Sequence, residues 1–160
     1  MTSMLLADAA ATDALGAALA ATRPARAVLH LHGDLGAGKS TLARALLRAL
    51  GVSGAIRSPT YTLVERYPLG AGGEAWHLDL YRIGDGAELE FLGLDGDEAT
   101  LWLVEWPERG AGFLPPPDVR VDLEIAGAGR RAGFAAGSPA GAEWLERLRV
   151  LPPDGVAADS

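Results

Sequence analysis

The chain has 160 residues, enough for one domain with a real core, and its 49% hydrophobic and 22% charged content is that of a globular protein. It contains no cysteine, which excludes disulfides, thiolate catalysis and cysteine zinc sites, and its formal charge of −7 excludes a basic surface for gripping a polyphosphate backbone unaided. No 18-residue apolar run exists for a membrane span, and Asp8 and Asp13 interrupt an N-terminus that lacks a basic leader, so a cytoplasmic protein is expected.

In chain order, residues 9–21 place Leu15 and Leu19 four apart and read as an amphipathic helix ending before Pro24. Residues 27–32 read as a short strand feeding Gly33-Asp34-Leu35-Gly36-Ala37-Gly38-Lys39-Ser40. Residues 40–50 then read as a helix with Leu42, Leu46 and Leu50 on its apolar face and Gly51 as its stop. Two strands follow, over residues 58–67 and 75–82, joined as an antiparallel hairpin by the glycines at 70, 72 and 73. Residues 88–94 suggest a short helix, and residues 100–105 form a continuous apolar run suited to a buried central strand. Pro115 to Pro117 mark a loop, residues 119–125 alternate as a strand, and residues 130–136 form a weaker one. Ser138-Pro139 caps a last helix over residues 140–149, with Trp144, Leu145 and Leu148 inward. One domain over residues 1–150 and a disordered tail over residues 151–160 are expected.

Strand, glycine loop and helix form the context that the pattern G-x-x-x-x-G-K-[ST] requires. Lys39 is the only lysine; the other cationic residues are arginines. A loop that offers backbone N–H groups at close range accommodates a compact ammonium on a flexible stem better than a planar guanidinium. The N–H groups of Asp34 to Gly38 and the following helix N-terminus would cradle phosphates, Lys39 would reach the β/γ oxygens, and Thr41 would contact the α-phosphate. The Ser40 hydroxyl would ligate Mg²⁺.

A metal-side acid is also needed, and two positions compete. Glu105 closes an apolar run in the manner of a Walker B acid, whereas Asp79 shares a strand face with His77 and Tyr81, opposite Trp76, Leu78 and Leu80. Ser58-Pro59-Thr60 reads either as an ordinary turn or as a switch loop whose threonine closes over the γ-phosphate. His30 and His32, two apart on the strand before the loop, either share a metal or replace apolar strand residues.

The segments together resemble the TsaE (formerly YjeE) family, small bacterial P-loop ATPases required for the threonylcarbamoyl modification of tRNA. The resemblance rests on Gly33 to Thr41, on Ser58-Pro-Thr-Tyr-Thr-Leu-Val-Glu65, on His77-Leu-Asp-Leu-Tyr-Arg82, on Glu88-Leu-Glu-Phe-Leu-Gly-Leu94 and on Val104-Glu-Trp-Pro-Glu108. It implies an α/β P-loop NTPase domain, with a mixed sheet largely antiparallel after the P-loop unit and flanked by helices. It also implies ATP and Mg²⁺ as cofactors and TsaB and TsaD as partners, with tRNA (adenosine 37) met only through them and no membrane. By position, the resemblance makes Ser40 and Glu105 Mg²⁺ ligands, with Asp79 a further candidate. Lys39, Thr60, Asp79 and Glu105 become catalytic or switch residues, Trp106 lies beside the nucleotide, and Asp8 and Arg130 contact it. The chain departs from the family at Ser40, where threonine is usual, and at His30 and His32, where apolar or aromatic residues are usual.

Two rival classes stay open: a P-loop small-molecule kinase, and an ATP-regulated scaffold with negligible turnover. A Ras-like GTPase is excluded, because its guanine-reading N/T-K-x-D motif needs a second lysine.

Overall fold

A computed structural model describes residues 2–94, 97–150, 152–153 and 156–159. Among the described residues one eight-stranded sheet organises the chain, in the order β3-β4-β5-β2-β6-β7-β1-β8. The strands are β1 (Thr2–Leu6), β2 (Ala27–His32), β3 (Val64–Pro68), β4 (Glu74–Asp79), β5 (Ala99–Glu105), β6 (Val119–Ala126), β7 (Gly129–Ala136) and β8 (Ala157–Asp159). The central strands β4, β5, β2 and β6 run parallel. Antiparallel pairing is confined to the flanks, where β3 joins β4 and where β7, β1 and β8 extend the other side. The sheet is thus mixed, as expected, and its parallel centre has its carboxyl ends on one side of the molecule, where a ligand crevice forms in such sheets.

Three helices, α1 (Ala9–Thr22), α2 (Lys39–Ala49) and α3 (Pro139–Val150), cover one face. Leu15, Leu19, Leu42, Leu46, Leu47, Trp144 and Leu148 pack there against Leu29, Leu31, Leu101, Leu103, Val119 and Val121. The inward leucines of β2 and β5 alternate with residues on the opposite face, as a two-residue period dictates. Gly16 is required at the α1–α2 crossing, because a Cβ there would lie 2.6 Å from the Ala45 methyl and 2.8 Å from the Leu46 backbone nitrogen. The Trp144 indole N–H donates to Leu19 O at 3.3 Å and to the Thr22 hydroxyl at 3.2 Å, tying α3 to α1. Ser138 caps α3 as its sequence suggests, with Gly141 N donating to its hydroxyl at 2.9 Å. A second, smaller core fills the other face, where Trp76, Leu78 and Val104 meet Leu80, Ile83 and Leu89. It is closed by short 3₁₀ helices at Gly86–Leu92 and Pro107–Gly110.

Three local expectations change. The hairpin strand begins at Val64, not residue 58, because Leu63 N bonds back to Pro59 O at 2.8 Å and Leu63 takes a left-handed φ of 68°, closing a turn. The helix expected over residues 88–94 is the 3₁₀ helix Gly86–Leu92, started by a capping box between Asp85 and Glu88. The tail is not uniformly unstructured: Leu151, Asp154, Gly155 and Ser160 lie outside the described residues, but β8 pairs with β1. Strand β1 itself was not expected: Met4, Leu5 and Leu6 are all apolar, and only pairing with β7 and β8 buries Met4 and Leu6 while leaving Leu5 exposed.

Candidate nucleotide site

The loop between β2 and α2 lies at the carboxyl ends of the parallel strands. Gly38 stands at the N-cap of α2 with φ of 106°, a left-handed value at which a side chain would be strained. Gly38 has no side chain to cap the helix, and the first N–H groups of α2, which lack intrahelical acceptors, are the kind of donors an anion takes. Beside the loop lies a cleft of about 290 Å³ lined by Gly36, Lys39, Ser40, Thr60, Asp79, Glu105 and Trp106, among others. A second cavity of about 200 Å³ adjoins it, sharing Gly38, Thr41 and Arg130 and reaching Asp8.

The two competing acids prove to be neighbours. In the parallel register of β4 and β5, Asp79 stands beside Glu105, and both face the α2 side of the sheet. Asp79 is 6% exposed and Glu105 2%. Their contacts divide the work. The Ser40 hydroxyl donates to Glu105 Oε1 at 2.8 Å and Oε2 at 3.0 Å, and Glu105 Oε2 also meets His77 Nε2 at 2.6 Å. Asp79 holds the segment before β3: the Thr60 hydroxyl donates to Asp79 Oδ2 at 3.2 Å and shares a 2.8 Å hydrogen bond with Ser58. Asp79 Oδ1 accepts from Tyr81 N at 3.0 Å.

Lys39 is 5% exposed. Its ammonium donates to the Gly33 carbonyl and, at 2.9 Å, to Asp34 O, and it lies 4.3 Å from the centre of the Trp106 ring. Burial lowers its pKa, and the carboxylates of Glu105, Asp79, Glu108 and Asp34 oppose that shift. Trp106 holds its ring there from a left-handed backbone, with φ of 56°, at the junction of β5 and the following 3₁₀ helix. A non-glycine residue held at such a φ is strained, and strain of this kind clusters at functional sites; the same ring also packs against the smaller core.

The remaining positions separate. Leu35, Gly36, Gly38 and Thr41 line the cleft. Ala37 buries its methyl in the main core, and Asp34 borders a different cavity with Asp122 and Glu124. Arg130 reaches over the loop, donating to Gly36 O at 3.1 Å. Asp8 caps α1 by accepting from Ala11 N at 2.9 Å while also forming part of the second cavity's wall. Tyr81, which lines the cleft with its ring centre 5.0 Å from that of Trp106, was not singled out as a binding residue; its place on the Asp79 strand face was the available signal.

His30 and His32 lie on the opposite sheet face. Among the described residues no cluster of three or more His, Asp or Glu side chains could hold a metal by itself, so the shared-metal reading of this pair has no support. His32 Nδ1 lies 3.4 Å from Glu108, while burial and the nearby His32 push His30 down to about 4.

A family profile described as "Threonylcarbamoyl adenosine biosynthesis protein TsaE" matches residues 6–132. The chain belongs to the TsaE family. Among curated TsaE proteins it is 39% identical to that of a Nostoc species over 137 residues, covering 82% of this chain and 83% of the relative. It is 46% identical to the Haemophilus influenzae protein over 99 residues, spanning 61% of this chain and 62% of that relative. The crystal structure of Bacillus subtilis YdiB superposes with a TM-score of 0.76 at 26% identity, covering 94% of this chain and 97% of that one. TsaE membership places the chain in tRNA threonylcarbamoyladenosine biosynthesis, and the fold is that of a P-loop NTPase. Among the described residues no helix is long and apolar enough to cross a membrane.

Proposed function

We propose that this chain is a Mg²⁺-dependent ATPase that acts with TsaB and TsaD in forming the N6-threonylcarbamoyl group on tRNA adenosine 37, in the cytoplasm. The observation that carries the reading is the convergence of Lys39, Ser40, Thr60, Asp79 and Glu105 on one cleft. Ser40 and Glu105, with Asp79 beside them, offer hard oxygen donors, and such a set suits Mg²⁺ that completes its shell with phosphate oxygens and water. Bound there, Mg²⁺ would supply charge neutralisation at the β- and γ-phosphate oxygens.

The chain's own residues do the rest. Lys39, released from the Gly33 and Asp34 carbonyls, pairs with phosphate oxygens, and the helix N-terminus at Gly38 to Thr41 holds the remaining phosphate charge. Thr60, now restrained by Asp79, belongs to a segment that can move over the γ-phosphate, and Asp79 is then free to orient a water. Trp106, Asp8 and Arg130 flank the nucleotide. Turnover by the chain alone is slow, and a partner that reorganises the segment from Ser58 to Thr60, which Asp79 holds through the Thr60 hydroxyl, accelerates it.

ATP turnover measured with and without purified TsaB–TsaD tests this. Stimulation of tenfold or more is expected, and Lys39→Ala should abolish it while cooperative thermal unfolding persists. Absence of both stimulation and association would overturn the partnership and favour an independent kinase, which transfer of labelled phosphate to small-metabolite pools would reveal. Nucleotide binding with association but no turnover would favour a scaffold.

A further inference from the structure

His77 lies in the interior of β4 and is fully buried. Its strand neighbours on that face are Ala75 and Asp79, and Leu103 stands opposite it on β5. An apolar residue would suit this position for packing. Instead the imidazole places Nε2 2.6 Å from Glu105 Oε2, while Nδ1 is buried with no hydrogen-bond partner among the described residues. A buried polar atom left unpaired destabilises the fold. The ring therefore costs stability at one nitrogen and returns it only through Glu105.

Glu105 is the last residue of β5, where a side chain with three rotatable torsions could swing. His77 removes that freedom. Facing a carboxylate, Nε2 is the donor and commits Oε2 toward the sheet, while Oε1 keeps the Ser40 hydroxyl at 2.8 Å. We infer that His77 is a positioning residue that fixes the Glu105 carboxylate, and through it the Ser40 hydroxyl, in the orientation that receives Mg²⁺. The inference rests on the proposal that Ser40 and Glu105 hold the metal. His77 itself, behind Glu105 and closed off from the cleft, touches neither nucleotide nor cation. Outer-shell partners of this kind typically contribute about 10–100-fold to metal affinity.

The test is a Mg²⁺ titration of nucleotide binding, followed with a fluorescent ADP analogue on the full chain and without turnover. In His77→Leu, affinity for the analogue in EDTA should stay within about twofold of wild type, while the Mg²⁺ concentration giving half the metal-dependent gain should rise about 10–100-fold. His77→Gln, whose amide N–H can reach the Nε2 position, should recover most of the loss. His77→Leu combined with Glu105→Gln should be no worse than Glu105→Gln alone, since His77 acts only through that carboxylate. A folded His77→Leu protein that titrates like wild type overturns the assignment, as does a Gln variant as impaired as Leu. Should the Leu variant fail to fold, His77→Gln and His77→Asn form the pair: Asn is too short to reach Oε2, and equal titrations overturn the assignment. Wild-type binding that ignores Mg²⁺ overturns the metal-site proposal as well, whereas a Mg²⁺-dependent wild type with an unshifted Mg²⁺ titration in His77→Leu overturns His77 alone.

Discussion

Two buried histidines stand on opposite faces of this sheet, and of the two only His77 is hydrogen-bonded to a carboxylate. His77 is matched to Glu105, whereas His30, 8% exposed, has a buried Nε2 with no hydrogen-bond partner among the described residues. Burial depresses His30 to about 4 from an ordinary 6.5. The sign follows from linkage: between those two values the unfolded chain takes up a proton that the native state refuses. Stability that is fully present above pH 6.5 therefore declines as pH falls and is exhausted near pH 4, by about 3 kcal/mol in total and about 2 kcal/mol at pH 5. His30→Leu should remove that component, so its stability relative to wild type should rise by about 2 kcal/mol between pH 7.5 and pH 5 in urea denaturation. Parallel pH profiles for the two proteins would show that His30 does not titrate in this way.

Helix α2 presents Lys39, Ser40 and Thr41 to the cleft proposed to hold nucleotide, so the accuracy of that site depends on how α2 is seated. Its seat is α1, where Gly16 lies so near Ala45 and Leu46 that no Cβ fits between them. Alanine is the better helix former by about 1 kcal/mol, so propensity alone favours Gly16→Ala. Sterics oppose it: the new methyl would lie within 3 Å of backbone atoms of α2, which cannot rotate away as a side-chain tip can. Overpacking of this kind costs about 1–3 kcal/mol and should outweigh the propensity gain. Gly16→Ala is expected to lower the urea midpoint and to weaken nucleotide binding by shifting α2. A variant as stable as wild type would show that the two helices slide apart freely. The segment before β3 carries Thr60 into the cleft, and its local chemistry misleads: Thr60, Tyr61 and Thr62 favour a strand, yet bonds from Leu63 N to Pro59 O and from Thr60 to Asp79 bend the segment into a turn.

Across the whole molecule, what could be read from sequence is what local bonding determines. The phosphate loop, β2, α2 and the face shared by His77, Asp79 and Tyr81 follow from turn chemistry and from two-residue and 3.6-residue periods. What escaped depends on long-range closure: β1 exists because β7 and β8 pair with it, and Asp8 and Arg130 share a cavity wall because β1 and β7 lie side by side. Neither the choice between Glu105 and Asp79 as the partner of Ser40 nor the clamp by His77 can be seen without the register of β4 against β5. Charge, by contrast, is a property of the whole chain that sequence reports directly. Proteins that bind nucleic acid nonspecifically do so by releasing counterions with Lys and Arg, giving dissociation constants of about 10⁻⁴–10⁻⁶ M at physiological salt. A chain of net charge −7 with a single lysine, itself buried in the phosphate loop, works against that term. The isolated protein should therefore retain no tRNA in filter binding at about 150 mM salt and micromolar protein, and it should remain with tRNA only when TsaB–TsaD are added. Retention of tRNA by the chain alone, weakening steeply with salt, would mean that its arginines form a working phosphate surface despite the overall charge, and tRNA would then be a direct ligand.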